Sequence, residues 1–304
     1  MTLALTWRTR PSNGQIADVL ALLAAAEAAD GVHAISEAAI LRLGHDSSSR
    51  AGVHLLAHDS AGALVGYASL DERSERRTAE FVVHPEHRCR GIGSALLAAL
   101  LDRVHEPLWV WAHGEHPAAL RLVQHAKLVS RRELLQLRRK LTNPIPSRHL
   151  PHGVAVRVFV PGEDEAAVIR VNNRAFAQHP EQGRLDASEL TVLETQPWFD
   201  PKGFLLAVDP DGQLLGFHWT KVHADDLGEV YVLAVDPGAQ GIGLGSALIV
   251  EGLVYLRERG IPEAMLYVEA DNAVALHSYQ NLGFVHHHTD VQFLVEPPGE
   301  STYG

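Results

Sequence analysis

The 304-residue sequence has one cysteine, no long apolar run and no excess of basic residues. A single cysteine, Cys89, excludes a disulfide within the chain, as is usual in a reducing cytoplasm. The apolar runs are too short to span a bilayer, and the first ten residues lack the apolar core of a signal peptide. A formal net charge of -11 disfavours nucleic acids and anionic membranes, which attract basic surfaces. We therefore expect a cytoplasmic protein without nucleic-acid or membrane partners, and a monomer.

Histidine, by contrast, is abundant, with 19 residues that include the consecutive His286, His287 and His288. Neighbouring side chains on a strand point to opposite faces, so three in a row cannot readily share one metal ion. A solvated strand or turn explains them better, and we predict no metal site.

The chain length indicates two domains, and the two halves repeat one order of elements. Three prolines in residues 141–153, LTNPIPSRHLPHG, favour an irregular linker. Each half predicts a helix, a hairpin, a strand, a glycine turn and a helix. We predict two α/β domains with mixed sheets (an α+β arrangement), namely residues 1–143 and 154–304 joined by a linker at 144–153.

Local signals fix several element ends. In the first half, a helix over IADVLALLAAAEAAD should end at Gly31, and a hairpin should turn at Ala61-Gly62. The hairpin of the second half should turn at Asp211-Gly212.

A glycine turn between a strand and a helix occurs in both halves. FVVHPEHRCRGIGSALL (81–97) and LAVDPGAQGIGLGSALI (233–249) share this layout, which pairs Gly93 with Gly243. Glycine allows a sharp turn, and the following helix offers unpaired amides to a phosphate. One such turn often serves packing alone, but two in the same context predict a nucleotide-like anion. The Rossmann pattern and the Walker lysine are both missing.

The order hairpin, strand, [RQ]-x-x-G-x-[GA], helix and N-x-x-A-x-x-x-Y-x-x-x-G-F resembles the GNAT acetyltransferase superfamily. The second half supplies the last part through Asn272, Ala275, Tyr279, Gly283 and Phe284. The resemblance implies two tandem GNAT (acyl-CoA N-acyltransferase) domains that use acetyl-CoA as cosubstrate. It places the pyrophosphate on the glycine turn and the pantetheine arm along the preceding strand.

The same resemblance assigns acetyl-CoA contacts in both halves. Those of the first half are Phe81, Val82, Val83, Arg90, Gly91, Ile92, Gly93, Ser94 and Ala95. Those of the second half are Leu233, Ala234, Val235, Gln240, Gly241, Ile242, Gly243, Leu244, Gly245, Ser246, Asn272, Ala273, Val274, Ala275, Leu276 and His277.

A narrower match lies in five segments of the second half, AFAQHPEQG (175–183), WFDPKGFLLAV (198–208), GFHWTKVH (216–223), GEVYVLAVDPGAQGIGLG (228–245) and LYVEADNAVALHSYQNLGF (266–284). Together they resemble the mycothiol synthase family of actinobacteria. That family acetylates the cysteinyl amine of a cysteinyl-glucosaminyl-inositol, desacetylmycothiol, by direct transfer from acetyl-CoA. The HPEQG loop with HWTK and LYVEADN is a more specific combination than the glycine turn.

An amine that attacks a thioester must be neutral, yet an α-amine with a pKa of about 8 is largely protonated at neutral pH. The resemblance gives the general-base role to Glu229 and the general-acid role, at the CoA thiolate, to Tyr279. A solvated glutamate and a packing tyrosine are the alternatives. The resemblance assigns acceptor contacts to Glu37, Glu181, Lys221, Glu229 and Tyr267. Cys89 lies beside arginines that favour a thiolate, but direct transfer needs no acyl-cysteine.

The two halves differ at the proton-transfer positions. Alignment places Arg77 opposite Glu229 and Val123 opposite Tyr279. Arginine cannot act as a base at neutral pH, and valine has no proton to give. We therefore predict that the N-terminal domain binds acetyl-CoA without catalysis and that the C-terminal domain is catalytic. Two alternatives are a tandem GNAT that acetylates another amine (an antibiotic, a polyamine or a protein N-terminus) and a non-catalytic acetyl-CoA sensor.

Overall fold

A computed structural model describes residues 2–44, 52–72, 76–114, 116–177, 183, 185–223 and 226–296. The chain forms two compact units. Unit 1 comprises Met1–Leu134 with His288–Gly304, and unit 2 comprises Leu135–His287. Each is an α/β fold with a mixed sheet, which confirms the predicted fold class.

Unit 1 begins with a strand and a long helix and contains the first hairpin. Its helices are α1 (Asn13–Asp30), α2 (Glu37–Gly44), α3 (Ile92–Val104) and α4 (Pro117–Ala126). Its strands are β1 (Ala4–Arg8), β2 (Val53–His58), β3 (Leu64–Asp71), β4 (Arg77–Val83) and β5 (Leu108–Ala112), followed by the first residues of β6 (Val129–Lys140). The sheet order is β1-β2-β3-β4-β5, and the β4–β5 pair is the parallel one.

Both faces of this sheet are buried at β2 and β3, which explains why these two strands are mostly apolar. Leu55 points towards α3 and packs with Leu96, whereas the next residue, Leu56, points to the opposite face and packs with Val19 of α1. Helix α1 begins at a capping box in which Ser12 accepts a hydrogen bond from the Gln15 amide.

Several predicted ends are confirmed. Helix α1 ends at Gly31, whose φ of 71° is left-handed. The two hairpins turn at Gly62 and Gly212, with φ of 83° and 79°. Residues 141–154, which include the predicted linker, form neither helix nor strand.

Unit 2 repeats the layout. After the remaining residues of β6, its elements are β7 (Ala155–Val158), α5 (Glu165–Ala175), α6 (Ala187–Glu194), β8 (Phe204–Val208), β9 (Leu214–Val222), β10 (Leu227–Val235), α7 (Leu244–Glu258), β11 (Glu263–Glu269) and α8 (Ala273–Asn281). The sheet order is β11-β10-β9-β8-β7, with β10 and β11 parallel. Helix α7 supplies Leu253 and Leu256 to the core of this unit.

The last strand, β12 (Val285–Val295), returns to unit 1. Its residues pair antiparallel with β5, from Val291 opposite Ala112 to Val295 opposite Leu108. This division differs from the predicted boundaries, which placed the whole C-terminus in the second domain. The difference arises because β5 needs a second neighbour to satisfy its backbone groups, and β12 provides it.

None of the helices in the described ranges combines the length and apolarity needed to cross a bilayer.

Candidate active site

Each glycine turn leads into a helix whose first amides have no partner inside the helix. Gly91 precedes α3 and Gly243 precedes α7, with φ of 83° and 84°. The first bonds of the two helices run from Ala95 N to Gly91 O (3.0 Å) and from Ala247 N to Gly243 O (3.2 Å). The three amides before each of these donors are therefore available to an anion, at the positive end of the helix dipole.

The structure corrects the alignment of the two turns. Gly91 and Gly243 hold the same N-cap position, 152 residues apart, so the pairing of Gly93 with Gly243 is wrong. The counterpart of Gln240 is accordingly Arg88, since each residue ends the short 3₁₀ turn before the glycines.

Beside each turn, two parallel strands separate after a short paired stretch. In unit 1 the register of β4 and β5 ends at Glu80 and Trp111, and in unit 2 that of β10 and β11 ends at Glu229 and Met265. All four strands continue beyond these residues in the described chain. A gap therefore opens in each sheet next to the glycine turn, where an extended ligand can lie.

In unit 1 this gap belongs to a cavity of about 420 Å³ between β4, the glycine turn, β5 and α4. Seven predicted first-half contacts line it, namely Phe81, Val82, Val83, Gly91, Ile92, Gly93 and Ser94. Its described lining includes neither Arg90 nor Ala95, but it does include Arg88. The Arg88 guanidinium donates two hydrogen bonds, of 2.6 and 2.7 Å, to the carboxylate of Asp30 at the end of α1.

In unit 2 the strand register brings three predicted residues to one face of the sheet. Lys221 on β9 lies opposite Glu229 on β10, and Glu229 lies opposite Met265 on β11. Tyr267, two residues after Met265, faces the same side because side chains alternate along a strand. The Tyr267 hydroxyl accepts a 2.9 Å hydrogen bond from the Gln136 amide.

Glu229 is buried, with a side-chain exposure of 10%. Its Oε2 lies 2.8 Å from Nε2 of His223, a residue that follows the end of β9. The predicted alternative of a solvated glutamate at a strand start does not fit this position. Sequence reasoning did not single out His223, although it is the last residue of the GFHWTKVH segment.

Lys221 is also buried, and its ammonium lies against aromatic rings. Nζ is 4.8 Å from the centre of the Trp198 ring and 5.2 Å from that of Tyr231. Trp219 completes the group, 5.8 Å from Trp198 and 5.4 Å from Tyr231. Cation–π attraction holds the Lys221 ammonium against these rings, on the strand position opposite Glu229.

Tyr279 lies on α8 and is 9% exposed. Its ring packs edge-on against Phe284 at 5.9 Å, in the core cluster of unit 2. Burial raises the pKa of the Tyr279 hydroxyl to about 12, so it stays protonated across the physiological range.

Both ends of α8 are held. Asn272 caps its start by accepting a 3.1 Å hydrogen bond from the Ala275 amide, and the next predicted contacts, Ala273 and Val274, are exposed. At the other end the buried Arg139 guanidinium donates to Leu282 O. These contacts set the position of Tyr279 in the last turn of the helix.

The position opposite Glu229 also changes. Strand β10 carries a bulge between Val230 and Val232, which β4 lacks in its described register. The extra residue shifts the count by one, so the sheet partner of Glu229 in unit 1 is Thr78 and not Arg77. Neither residue is a carboxylate, so the difference between the units persists.

Unit 1 nevertheless contains a buried acidic group that sequence reasoning missed. Glu80 accepts hydrogen bonds from Ser36 Oγ (2.6 Å) and His113 Nε2 (2.9 Å), and His113 Nδ1 donates to Asp290 of β12 (2.9 Å). Burial alone would lower the pKa of His113, but its bonds to Asp290 and Glu80 raise it to about 10. The same contacts lower the pKa values of Glu80 and Asp290 against the opposing effect of burial. The Glu80 carboxylate is thus already occupied by protein donors.

The remaining two predicted acceptor contacts are Glu37 and Glu181. Glu37 begins α2 in unit 1. Glu181, in the HPEQG loop, lies outside the described residues. Among the described residues no group of three or more His, Cys, Asp or Glu is arranged to hold a metal ion.

Comparison with known proteins explains the duplicated site. The sequence matches the Acetyltransferase (GNAT) family twice, over residues 22–126 and 170–284. It is 47% identical over 301 residues to the mycothiol acetyltransferase of Saccharopolyspora erythraea, covering 90% of this chain and 99% of that protein. It is 52% identical over 283 residues to the mycothiol acetyltransferase of Streptomyces coelicolor, covering 91% of each.

The chain belongs to the mycothiol acetyltransferases of the GNAT family. Solved GNAT structures share its fold. A GCN5-related N-acetyltransferase from Sphaerobacter thermophilus superposes with a TM-score of 0.72 at 25% identity, over 97% of both chains. A tandem GNAT protein from the clavulanic acid biosynthesis pathway gives a TM-score of 0.78 at 17% identity, over 99% of this chain and 100% of that one. The predicted tandem GNAT architecture is confirmed.

Proposed function

We propose that the protein transfers the acetyl group of acetyl-CoA to the cysteinyl amine of a cysteinyl-glucosaminyl-inositol, at a single active site in unit 2. The observation that carries this proposal is the buried Glu229 at the point where β10 and β11 separate, beside the buried Lys221. The mycothiol acetyltransferases of related sequence support the choice of acceptor.

The residues of unit 2 fit acetyl-CoA. The first amides of α7, at residues 244–246, offer donors and a positive dipole end to the pyrophosphate. The separated end of β10, residues 233–235, offers backbone groups to the pantetheine arm and an N–H to the thioester oxygen. The family resemblance also assigns acetyl-CoA contacts to residues from Asn272 to His277, at the start of α8.

In the reaction the amine nitrogen forms a bond to the thioester carbonyl carbon, and the carbon–sulfur bond breaks. The amine must lose a proton to attack, and Glu229 accepts it directly or through water. The substrate's hydroxyls suit polar partners such as Lys221 and Tyr267.

The departing thiolate receives a hydrogen bond from Tyr279. A hydroxyl with a pKa of about 12 holds its proton more tightly than an ordinary thiol, whose pKa is about 8.5. Full proton transfer would cost roughly 5 kcal/mol at this difference, so hydrogen-bond donation during bond cleavage is the favoured form of the predicted acid role.

Unit 1 binds acetyl-CoA without catalysing transfer in this proposal. Its glycine turn and cavity offer the same phosphate and arm positions. It has Thr78 where unit 2 has Glu229, and Glu80 is bonded to Ser36 and His113.

The deciding experiment combines purified protein with acetyl-CoA and a panel of amines, and follows the acetylated product by mass spectrometry. We expect turnover of the cysteinyl-glucosaminyl-inositol and a loss of about 10²- to 10⁴-fold in kcat/KM for Glu229→Gln. Glu263→Gln, a carboxylate change on the adjacent strand β11, is the matched control and should retain activity. Turnover of a different amine alone, binding without turnover, or full activity of a Glu229→Gln/Tyr279→Phe double variant would overturn the proposal.

A further inference from the structure

The hydrogen bond between His223 and Glu229 has no role in the steps above. Nε2 of His223 lies 2.8 Å from Oε2 of Glu229, and the two side chains are 16% and 10% exposed. The hairpin between β9 and β10 fixes the histidine, because its backbone amide donates a 2.9 Å hydrogen bond to Leu227 O. The two partners are thus six residues apart in sequence and are joined across one turn.

A carboxylate that serves as a base must present a lone pair in one direction. The glutamate side chain has three rotatable bonds, and an unrestrained carboxylate would sample several orientations. A hydrogen bond to a buried charged group is stronger than one in water, so His223 restricts this motion. With Oε2 engaged, Oε1 is the oxygen that remains for the amine in the described structure.

We infer that His223 is a positioning residue that orients Glu229 for proton acceptance. This inference rests on the proposed role of Glu229. His223 acts through the carboxylate and does not itself take the proton of the amine in this scheme.

The bond does not depend on one charge state of the histidine. The neutral ring protonated at Nε2 and the imidazolium both donate through this nitrogen. Among the described residues, the charged groups along the neighbouring strands and turn include Lys221 on β9, Asp226 before β10, and Glu263 and Glu269 on β11. Of these, Lys221 lies directly opposite Glu229 in the register of β9 and β10.

Unit 1 provides a natural contrast. At the rung where Lys221 opposes Glu229 in unit 2, Asp71 opposes Thr78. Thr78 is not a carboxylate and needs no residue to orient it. The described part of unit 1 therefore has the same strand pairing without a counterpart of the His223–Glu229 pair.

Three single variants and one double variant test the inference. His223→Leu should lower kcat about 10- to 100-fold, as expected for misplacement of a catalytic group, with both KM values nearly unchanged. His223→Gln should retain most activity, because its amide nitrogen lies close to the position of Nε2 and can donate to Oε2. His223→Asn is the matched control, since its shorter side chain cannot reach.

The double variant separates positioning from a structural effect. In a Glu229→Gln background, His223→Leu should cost less than about threefold in kcat, because its partner has already lost the catalytic function. An equal loss in both backgrounds, or equal losses for His223→Gln and His223→Asn, would show that His223 acts through the fold and overturn the inference.

The activity of the Glu229→Gln variant distinguishes a failure of the proposed base from a failure of the positioning role of His223. Full activity of Glu229→Gln would refute the proposed base, whatever His223 does. A slow Glu229→Gln variant with additive effects of His223→Leu would refute the positioning role alone. If His223→Leu does not fold, as judged by circular dichroism and thermal unfolding, the Gln and Asn pair still decides the question.

Discussion

At the residue scale, burial decides what each polar group can do. Tyr279 owes its raised pKa to the apolar cluster around it, which includes Phe284 and Leu282. Glu80 and Glu229 are both buried acids on equivalent strands, yet Glu80 is bonded to Ser36 and His113, and Glu229 has His223 at one oxygen. The same residue type is therefore a fixed structural charge in one unit and a candidate base in the other.

Removal of the Tyr279 hydroxyl should slow the reaction by a constant factor. We expect Tyr279→Phe to lower kcat about 10- to 100-fold, which is less than the largest loss expected on removal of the general base. The pKa of about 12 keeps the hydroxyl protonated from pH 6 to pH 9, so the ratio of wild-type to variant kcat should be flat over that range. A ratio that rises with pH would instead assign a titrating role to this residue. Steady-state kinetics at four pH values provide the measurement.

His113 should make the stability of unit 1 depend on pH. Its pKa is about 10 when folded and about 6.5 when unfolded, so its stabilising contribution is complete below pH 6.5 and is lost as pH rises towards 10. The free energy of unfolding should fall in this window by up to ~1.4 kcal/mol per pH unit from this group. Urea denaturation at pH 6, 8 and 9.5 measures the slope.

A Glu80→Gln/His113→Gln double variant provides the control for this prediction. It removes the titrating ring and one of its carboxylates together, which avoids an unpaired Glu80. We expect lower stability at pH 6 and a shallower decline towards pH 9.5. An unchanged slope would assign the pH dependence to other groups.

At the element scale, close contacts determine which helices can pack on which strands. His218 on β9 is fully buried and donates from Nδ1 to Leu248 O of α7 at 2.8 Å. Burial lowers the pKa of His218 to about 4, so the ring is neutral at physiological pH. Gly252 faces this ring, and a Cβ there would lie 2.0 Å from its Cε1 atom.

Gly252→Ala should therefore destabilise unit 2. The added methyl group would displace His218 or α7, at a cost of about 1–3 kcal/mol despite the higher helix propensity of alanine. Gly245→Ala is the matched control, because a Cβ at that position of α7 meets Val235 at an ordinary 3.6 Å. Thermal unfolding should show a lower Tm for Gly252→Ala alone. Equal Tm values for the two variants would mean that α7 moves without cost.

The elements that the sequence predicted are those with local signals. Gly31 and the two hairpin glycines act within a few residues, and all three appear where expected. The bulge at Tyr231 has no comparable signal, because it depends on how β10 lies between β9 and β11. Missing it made Arg77, in place of Thr78, the apparent counterpart of Glu229.

At the scale of the whole molecule, the chain does not divide at one linker. The C-terminal strand β12 belongs to unit 1, where Asp290 bonds His113 from 177 residues away. Neither this pairing nor the cluster of Trp198, Trp219 and Tyr231 around Lys221 has a signal at fixed spacing. Long-range partners of this kind are visible only after folding, whereas the glycine turns and the segments HPEQG, HWTK and LYVEADN are continuous in the sequence and carry the family resemblance.

Truncation should expose this dependence. A chain that ends at His287 loses the β12 residues that pair with β5, and we expect lower stability of unit 1 and faster amide hydrogen exchange in β5. A chain that ends at Glu296 keeps β12 and serves as the control. Equal exchange rates for β5 in the two chains would show that unit 1 folds without its last strand.

The separation of β10 from β11 has a consequence for handling the protein. Beyond Glu229 and Met265, each strand presents part of a sheet edge in the described chain, and such edges recruit other extended chains. Acetyl-CoA bound in the gap would cover these edges of β10 and β11 and keep other chains from pairing with them. We expect CoA to delay heat-induced aggregation, measured by light scattering, by more than the same concentration of ADP, which lacks the pantetheine arm. Equal protection by the two compounds would limit the effect to the phosphate site. Greater protection by CoA would show that the pantetheine arm shields the exposed strand edges from aggregation.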